Sequence, residues 1–203
     1  MSFYQPKSET IGRFISNIVD RSSTIVIPDL QRPYIWSPKQ VIRLIDSIFR
    51  EWPFGTLLTW EVSVGTDRSS YIPFRGFWEV EDRTENGDSK PASISSQGVQ
   101  YTMVLDGQQR LQSLLLAVGG DSWGFRLTDN QWMEYLLDNS ELNTGKGWSK
   151  ASLCIDVEKL LDQFTKCDQN ISRIAVDKIL IWAVTDHSDG YNNRNKEIKA
   201  LVQ

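Results

Sequence analysis

Histidine is nearly absent from this sequence of 203 residues. His187 is the only one, and it lies in a polar stretch near the end of the chain. A His-Asn-His nuclease, or a zinc hydrolase with two histidine ligands, therefore cannot be assembled from these residues alone. Because its neighbours are polar, we expect His187 to be a solvated loop residue.

Cysteine and long apolar runs are scarce as well. The two cysteines, Cys154 and Cys167, are not spaced as a metal-binding pair, and a disulfide framework needs more of them. We expect two small buried thiols in a reducing compartment. The first residues lack the basic-then-apolar pattern of a signal peptide, and no apolar run approaches the ~20 residues that a membrane span needs. These absences predict a cytoplasmic protein that has no contact with a membrane.

Basic residues are outnumbered, since 22 Lys and Arg face 26 Asp and Glu and give a formal net charge of -4. Proteins that bind DNA unaided usually carry a basic stripe, because neutralising phosphates drives their affinity. This sequence has no such stripe. Any contact with nucleic acid is therefore expected to be local, or to need another part of a larger protein.

The apolar spacing predicts an α+β fold. Helices are predicted from Ile11 to about Asp20, from Pro38 to before Pro53, from the glutamines at 108–109 to Gly119, through Val157–Phe164, between Ile174 and Val184, and from Lys196 onwards. Thr10 and Ser37 are the expected N-caps of the first two helices, and Leu115 and Val118 lie on the predicted buried face of the third. Strands are predicted at residues 24–27, 56–62, 101–105, 123–127 and 148–155. The apolar positions of five tryptophans predict that they belong to the core: Trp52, Trp60, Trp123, Trp132 and Trp182.

The polar, acidic stretch at about 65–98 interrupts this pattern and predicts an insertion or a long hairpin. Phe74, Phe77 and Trp78 indicate that part of it packs onto the domain. We predict one domain over residues 1–165 that includes this insertion, followed by a helical extension over 166–203. The extension is expected to continue into a longer protein.

A glycine and four polar residues, Asp106-Gly107-Gln108-Gln109-Arg110, lie between an apolar strand and an apolar helix; we call them the DGQQR motif. Burying such side chains without partners costs on the order of 1–3 kcal/mol for each neutral group, so we expect them to face water or a ligand. The helix N-terminus offers N–H groups and a positive dipole to an anion, and Gly107 allows a close backbone approach. Arg110 adds a charged fork for phosphate oxygens. Asp106 is suited to hold Mg²⁺, to position water or to bond a ribose hydroxyl.

The same motif is compatible with a simple capped turn. In that alternative Asp106 caps the helix, the two glutamines are solvated, and Arg110 forms a surface salt bridge. The chemistry of these residues alone does not decide between a nucleotide-phosphate site and a capped turn.

A second group of residues lies in Ile27–Trp36, which we call the proline segment. Its two prolines restrict the backbone to extended or turn geometry, which suits a preorganised site. Gln31 and Arg32 lie between these prolines, and the charge of Arg32 so near the core needs a partner. Tyr34 or Trp36 could stack on a base. The alternative is a turn whose aromatic side chains pack on the next helix, and we favour it for Trp36.

Together the two segments resemble the N-terminal domain of GmrSD-type restriction endonucleases. The proline segment, IPDLQRPYIW, is similar to that family's IPxxQRxYxW motif, and Val104–Leu111 contains its DGQQR motif without departure. A less specific likeness covers Trp148–Leu161, so the resemblance extends over roughly residues 10–165.

The resemblance implies a fold similar to ParB and sulfiredoxin, with a small mixed sheet, flanking helices and a C-terminal helical extension. A loop–helix turn in that fold holds nucleotide phosphates. By this likeness the nucleotide-binding residues are Gln31, Arg32, Tyr34, Gly107, Gln108, Gln109 and Arg110. Asp106 and Arg110 would be the catalytic residues, and Asp106 would also hold Mg²⁺.

The resemblance also implies a function. The chain would be a nucleoside triphosphatase that controls cleavage of glucosylated or phosphorothioated DNA by a separate histidine-containing nuclease domain, in the same or a partner chain. It leaves open whether the nucleotide is GTP, UTP or ATP, and whether the protein forms homo-oligomers. The alternative is a non-catalytic sensor that binds modified DNA through the same pocket. A nuclease that acts alone is a weaker third hypothesis.

Overall fold

The computed structural model describes residues 7–20, 23–63, 73–80, 82, 91–92, 100–126, 149–170 and 173–187, and in these ranges helices flank two small sheets. The helices are α1 (Ile11–Val19), α2 (Pro38–Phe49), α3 (Gln108–Val118), α4 (Val157–Lys166) and α5 (Val176–Ile179). The strands are β1 (Ile25–Pro28), β2 (Leu58–Ser63), β3 (Phe74–Gly76), β4 (Pro91–Ala92), β5 (Gln100–Asp106), β6 (Phe125–Arg126), β7 (Ser149–Ile155) and β8 (Leu180–His187). The predicted α+β class, with small sheets and flanking helices, is confirmed.

The first sheet determines where the candidate site lies. Its strand order is β2-β5-β1-β3-β4, with β1 parallel to β5 in the register Val26 to Met103, and β2 antiparallel to β5. Since β1 and β5 are adjacent and parallel, their carboxyl ends meet at one edge of the sheet. The proline segment leaves β1 at that edge, and the DGQQR motif leaves β5 beside it.

The main core lies between this sheet and the helices α1, α2 and α3. Val104 of β5, Leu115 of α3 and Val41 of α2 are completely buried there. The second sheet, β6-β7-β8, joins the same core through Phe125 and Trp182, whose rings meet edge to face at 4.8 Å between centroids. The Trp182 indole N–H also donates to the carbonyl of Pro38 at 3.4 Å. The two sheets therefore share one core around α3.

The starts of the first two helices follow the predicted capping chemistry. The Thr10 hydroxyl accepts from the Arg13 N–H at 3.3 Å and starts α1. Ser37 starts α2 with a reciprocal capping box, in which the Gln40 Oε1 atom accepts from the Ser37 N–H at 2.8 Å. The Ser37 cap follows the proline segment directly. The two ends of the segment are therefore fixed by β1 and by α2.

Several sequence predictions are wrong. The helix predicted between Ile174 and Val184 is a single turn, α5, followed by β8, which pairs with β7 along its whole length. The backbone of His187 belongs to that strand, so it is not a loop residue. Trp52 and Trp60 are 59% and 49% exposed, whereas Trp123 and Trp182 are buried as predicted. The helix predicted between Ile174 and Val184 stops after one turn because the β-branched and aromatic residues that follow favour a strand. That strand, β8, pairs with the open edge of β7.

Other predictions are confirmed or lie outside the described residues. The stretch at about 65–98 contributes the hairpin strands β3 and β4, and Phe74 and Trp78 are buried as expected. Trp132 and the helix predicted from Lys196 lie outside the described residues. The boundary at residue 165 between a domain and an extension stays a prediction. Among the helices of the described ranges, none has the length and apolar character to cross a membrane.

The burial of α3 can be tested by comparing Leu115 with Val118 on the same helix. Leu115 is fully buried and Val118 is 56% exposed, although both were predicted to face the core. We expect Leu115→Ala to lower the free energy of unfolding by about 2–5 kcal/mol, and Val118→Ala to change it by less than ~0.5 kcal/mol. Urea unfolding measures both values. Equal losses would show that the helix is rotated from the position described.

Candidate functional site

The DGQQR motif turns the chain from β5 into α3. Gly107 is the N-cap residue, with a φ of +87° in the left-handed region, and no side chain caps the helix. A Cβ atom at Gly107 would lie 2.4 Å from the Leu57 Cδ2 atom, so a larger residue would strain the backbone and also displace that methyl group. Within the described part of the chain, no side chain therefore satisfies the free N–H groups in the first turn of α3.

The two glutamines of the motif bind the proline segment. Gln108 Nε2 donates to the Arg32 carbonyl at 2.9 Å, and Gln109 Nε2 donates to the Pro33 carbonyl at 2.9 Å. The Gln109 Oε1 atom also accepts from the Ile35 N–H at 3.0 Å. Both side chains are buried, at 5% and 6% exposure. The Gln109 amide thus pairs with one carbonyl and one N–H group of residues 29–36, which form no strand or helix.

Other side chains fix the proline segment from its remaining sides. Gln31 Nε2 donates to the Leu105 carbonyl at 2.9 Å, and the Tyr34 hydroxyl lies 2.8 Å from the Ser113 hydroxyl of α3. Arg75 of β3 donates to the Gln31 carbonyl at 2.5 Å. The backbone of residues 31–35 is therefore held at four points by α3 and β3, and the side chains of Gln31 and Tyr34 add contacts with β5 and α3.

Arg110 binds a different loop, residues 54–56, which enters β2. Its Nη1 atom donates to the Phe54 carbonyl and its Nη2 atom to the Thr56 carbonyl, each at 2.8 Å. Gly55 has a φ of +101°, and a Cβ there would lie only 2.0 Å from Arg110 Nη1. The guanidinium thus fills the space that a glycine leaves open. This contact was not predicted from the sequence, although an arginine so near the core indicates that it has a partner.

The charged side chains of Asp106 and Arg32 are exposed at the sheet edge where β1 and β5 end. The Asp106 side chain is 73% exposed, and its Oδ2 atom lies 3.6 Å from Arg110 Nη2. Arg32 is exposed, and among the described residues its side chain makes no hydrogen bond or ion pair. An exposed carboxylate, an unengaged guanidinium and an uncapped helix N-terminus therefore lie at one edge of the sheet.

The structure brings together every residue predicted for the site, but it changes the part that some of them take. Gln108 and Gln109 were expected to face water or a ligand, and that expectation is wrong because both are buried against backbone groups. The capped-turn alternative fails at the same point, and its N-cap is Gly107 rather than Asp106. The partner expected for Arg32 does not occur among the described residues. Trp36 packs against the core, as favoured.

A cleft opens beside the motif, between α1 with the residues before it and β2; we call it the α1–β2 cleft. It has a volume of about 1110 Å³, and Arg110, Gly55 and Thr102 are among the residues that line it. The Lys7 ammonium and the Glu61 carboxylate meet across it at 2.7 Å, and this hydrogen bond raises the pKa of Lys7. The cleft is large enough for a small organic ligand.

The cysteines and other metal-binding side chains form no competing centre in the described ranges. No group of three or more His, Cys, Asp or Glu that could hold a metal occurs there. Cys154 and Cys167 are free and partly buried, and burial raises the pKa of the Cys154 thiol, which disfavours a nucleophilic thiolate. The open charged groups around Asp106 are thus the chemistry that this part of the chain offers.

A family model described as the GmrSD restriction endonuclease, N-terminal domain, matches residues 13–200. The chain belongs to this family. An uncharacterized protein of Methanocaldococcus jannaschii is 26% identical over an alignment of 154 residues, which covers 68% of this chain and 25% of that protein. The chain thus spans about a quarter of the length of the curated relative it matches.

The holding role of Gln109 can be tested against Gln112, another buried glutamine on α3. Gln109→Leu leaves the Pro33 carbonyl and the Ile35 N–H unpaired, and we expect it to lower the free energy of unfolding by on the order of 2–4 kcal/mol. Gln112 Oε1 is buried and accepts no hydrogen bond from the described residues, so Gln112→Leu should be neutral or stabilising. Urea unfolding and hydrogen exchange at the Ile35 amide measure the effects. An unprotected Ile35 amide in the unmodified protein would contradict the assignment.

The contact between Arg110 and the loop can be tested with two glycines of similar backbone geometry. Gly55 and Gly120 have φ values of +101° and +94°, but a Cβ at Gly120 would meet nothing within 4 Å. In both alanine variants, backbone strain should lower the free energy of unfolding by about 1–2 kcal/mol. Gly55→Ala should lower it further because the new methyl group displaces Arg110. Urea unfolding measures the difference. If Gly55→Ala costs the same excess when Arg110 is already alanine, the excess does not come from this contact.

Proposed function

We propose that this chain binds and hydrolyses a nucleoside triphosphate and thereby controls a nuclease domain outside the chain, in a restriction system directed against modified DNA. Membership of a restriction endonuclease family supports the setting. The single observation that carries the chemistry is the exposed Asp106 carboxylate beside an uncapped α3 N-terminus, with the unengaged Arg32 guanidinium on the adjacent segment.

These groups suit phosphoryl transfer, which depends on positioning and on charge stabilisation more than on covalent chemistry of the protein. The α3 N-terminus and Arg32 would bind the phosphate oxygens. Asp106 would orient the attacking water. Arg110 would position Asp106 across their 3.6 Å separation while it holds residues 54–56.

A magnesium ion fits this donor set. Mg²⁺ in nucleotide sites is commonly held by one or two carboxylates together with the phosphates, so the single exposed carboxylate of Asp106 is sufficient on the protein side. When bound, the ion would neutralise phosphate charge. Gln108 and Gln109 would contribute by holding the Arg32 backbone in place, since their side chains are already engaged.

The test compares Arg32→Ala and Asp106→Asn with Arg43→Ala, an exposed arginine on α2, as control. GTP, UTP and ATP are each titrated with and without Mg²⁺, and turnover is followed by phosphate release. Arg32→Ala should weaken nucleotide binding about tenfold or more, which corresponds to about 1.4 kcal/mol, because it removes a charge from the site. Asp106→Asn should bind nucleotide but lose most turnover. Arg43→Ala should match the unmodified protein.

Two results would overturn this proposal. One is turnover in Asp106→Asn equal to that of the unmodified protein. The other is salt-dependent binding of modified over plain duplex DNA in the absence of nucleotide, with no nucleotide effect on melting; that would establish the non-catalytic sensor instead.

A further inference from the structure

The α1–β2 cleft reaches the DGQQR motif through one side chain. Arg110 lines the cleft, and its guanidinium lies between Gly55, another lining residue, and Gly107, the N-cap of α3. The same guanidinium is 3.6 Å from the Asp106 carboxylate. The cleft and the open charged groups around Asp106 are therefore neighbours separated by a single residue.

The direction of the cleft follows from the pairing of β2 with β5. Leu58 lies opposite Asp106, whereas Glu61 lies opposite Thr102, four residues earlier on β5. Four residues of strand correspond to about 13 Å. The cleft therefore extends about 13 Å away from the motif along β2.

The charge of the cleft changes along this direction. Arg110 lies at the motif end, and beyond it the described lining residues carry one positive charge, on Lys7, against three negative charges: Glu9, Asp20 and Glu61. Phosphate groups are repelled by such an acidic end and attracted by the Arg110 end. A ligand with one anionic and one neutral half is thus oriented with its anionic half at the motif.

The lining beyond Arg110 suits a neutral, hydrogen-bonding ligand half. Hydroxyl groups are available from Thr24, Thr59 and Thr102, and apolar surface from Phe14 and Phe54. Hydroxyls both donate and accept, as the ribose and the edges of a base require, and aromatic side chains offer surface for the flat faces of a base.

We propose that the α1–β2 cleft receives the nucleoside half of the nucleotide, with its phosphates at the DGQQR motif. This inference rests on the proposed function and adds where the base and ribose are bound. It assigns different contacts to two groups of residues. Those around Arg32 and Asp106 would bind the phosphates, and those along β2 would bind the nucleoside.

Thr59 is the residue that tests this separation most directly. It lies opposite Val104, a core residue on the helix-facing side of the sheet, and it is exposed and lines the cleft. Thr59→Trp fills the cleft while keeping a residue that favours strands. Thr165→Trp on α4 is the matched control, because the described lining residues include none from α4. Thr102→Val, which removes only a hydroxyl from the cleft, is the second variant.

The experiment titrates each variant with two ligands, a nucleoside triphosphate and inorganic tripolyphosphate, and checks each fold by its urea unfolding midpoint. Thr59→Trp should weaken nucleotide binding about tenfold or more, which is about 1.4 kcal/mol, and leave tripolyphosphate binding unchanged. Thr102→Val should reduce nucleotide affinity in the same selective way. Arg32→Ala should weaken both ligands, and Thr165→Trp should weaken neither.

The failures of the two proposals give different results. If the unmodified protein binds both ligands but Thr59→Trp and Thr102→Val change neither affinity, or change both equally, the cleft is not the nucleoside site and the proposed function stands. If the unmodified protein binds neither ligand, the proposed function fails, and the cleft inference fails with it.

Discussion

The side-chain amide of Gln109 is the contact on which the rest of this site depends. Residues 29–36 of the proline segment, which follow β1, form no strand or helix, yet their carbonyl and N–H groups must be satisfied close to the core. Gln109 supplies one donor and one acceptor to Pro33 and Ile35, and Gln108 supplies a further donor to Arg32. A segment without regular secondary structure thereby acquires a fixed backbone, and the exposed Arg32 side chain is carried on it.

Much of the fold was predictable because it follows local rules. The caps at Thr10 and Ser37 and the buried strand β5 are specified by adjacent residues, and the structure has them as predicted. The strand β8 was not predictable, because its residues are also compatible with a helix and only the open edge of β7 decides between the two. The exposure of Trp60 has a similar cause, since an apolar position in an edge strand does not reveal which face is covered.

The proximity of the two segments that form the candidate site could be predicted, but not the contacts of their side chains. Strand, glycine and helix in sequence indicate an anion-binding turn, and the parallel pairing of β1 with β5 brings the proline segment beside it. Whether Gln108 faces a ligand or the Arg32 carbonyl depends on contacts 76 residues apart, which no local pattern specifies. The same holds for Arg110, which binds a loop 54 to 56 residues earlier in the chain.

These long separations have a consequence for folding. Closing a loop of this size has an entropic cost that must be met before the contact can stabilise anything, so such contacts form late relative to helices and hairpins. The hydrogen bonds made by the side chains of Gln108, Gln109 and Arg110 all span more than 50 residues. A folding intermediate in which α3 has formed but β1 is not yet paired with β5 contains the DGQQR motif. It still lacks the hydrogen bonds that connect the motif to the proline segment. The candidate site is therefore expected to form only when the fold is complete.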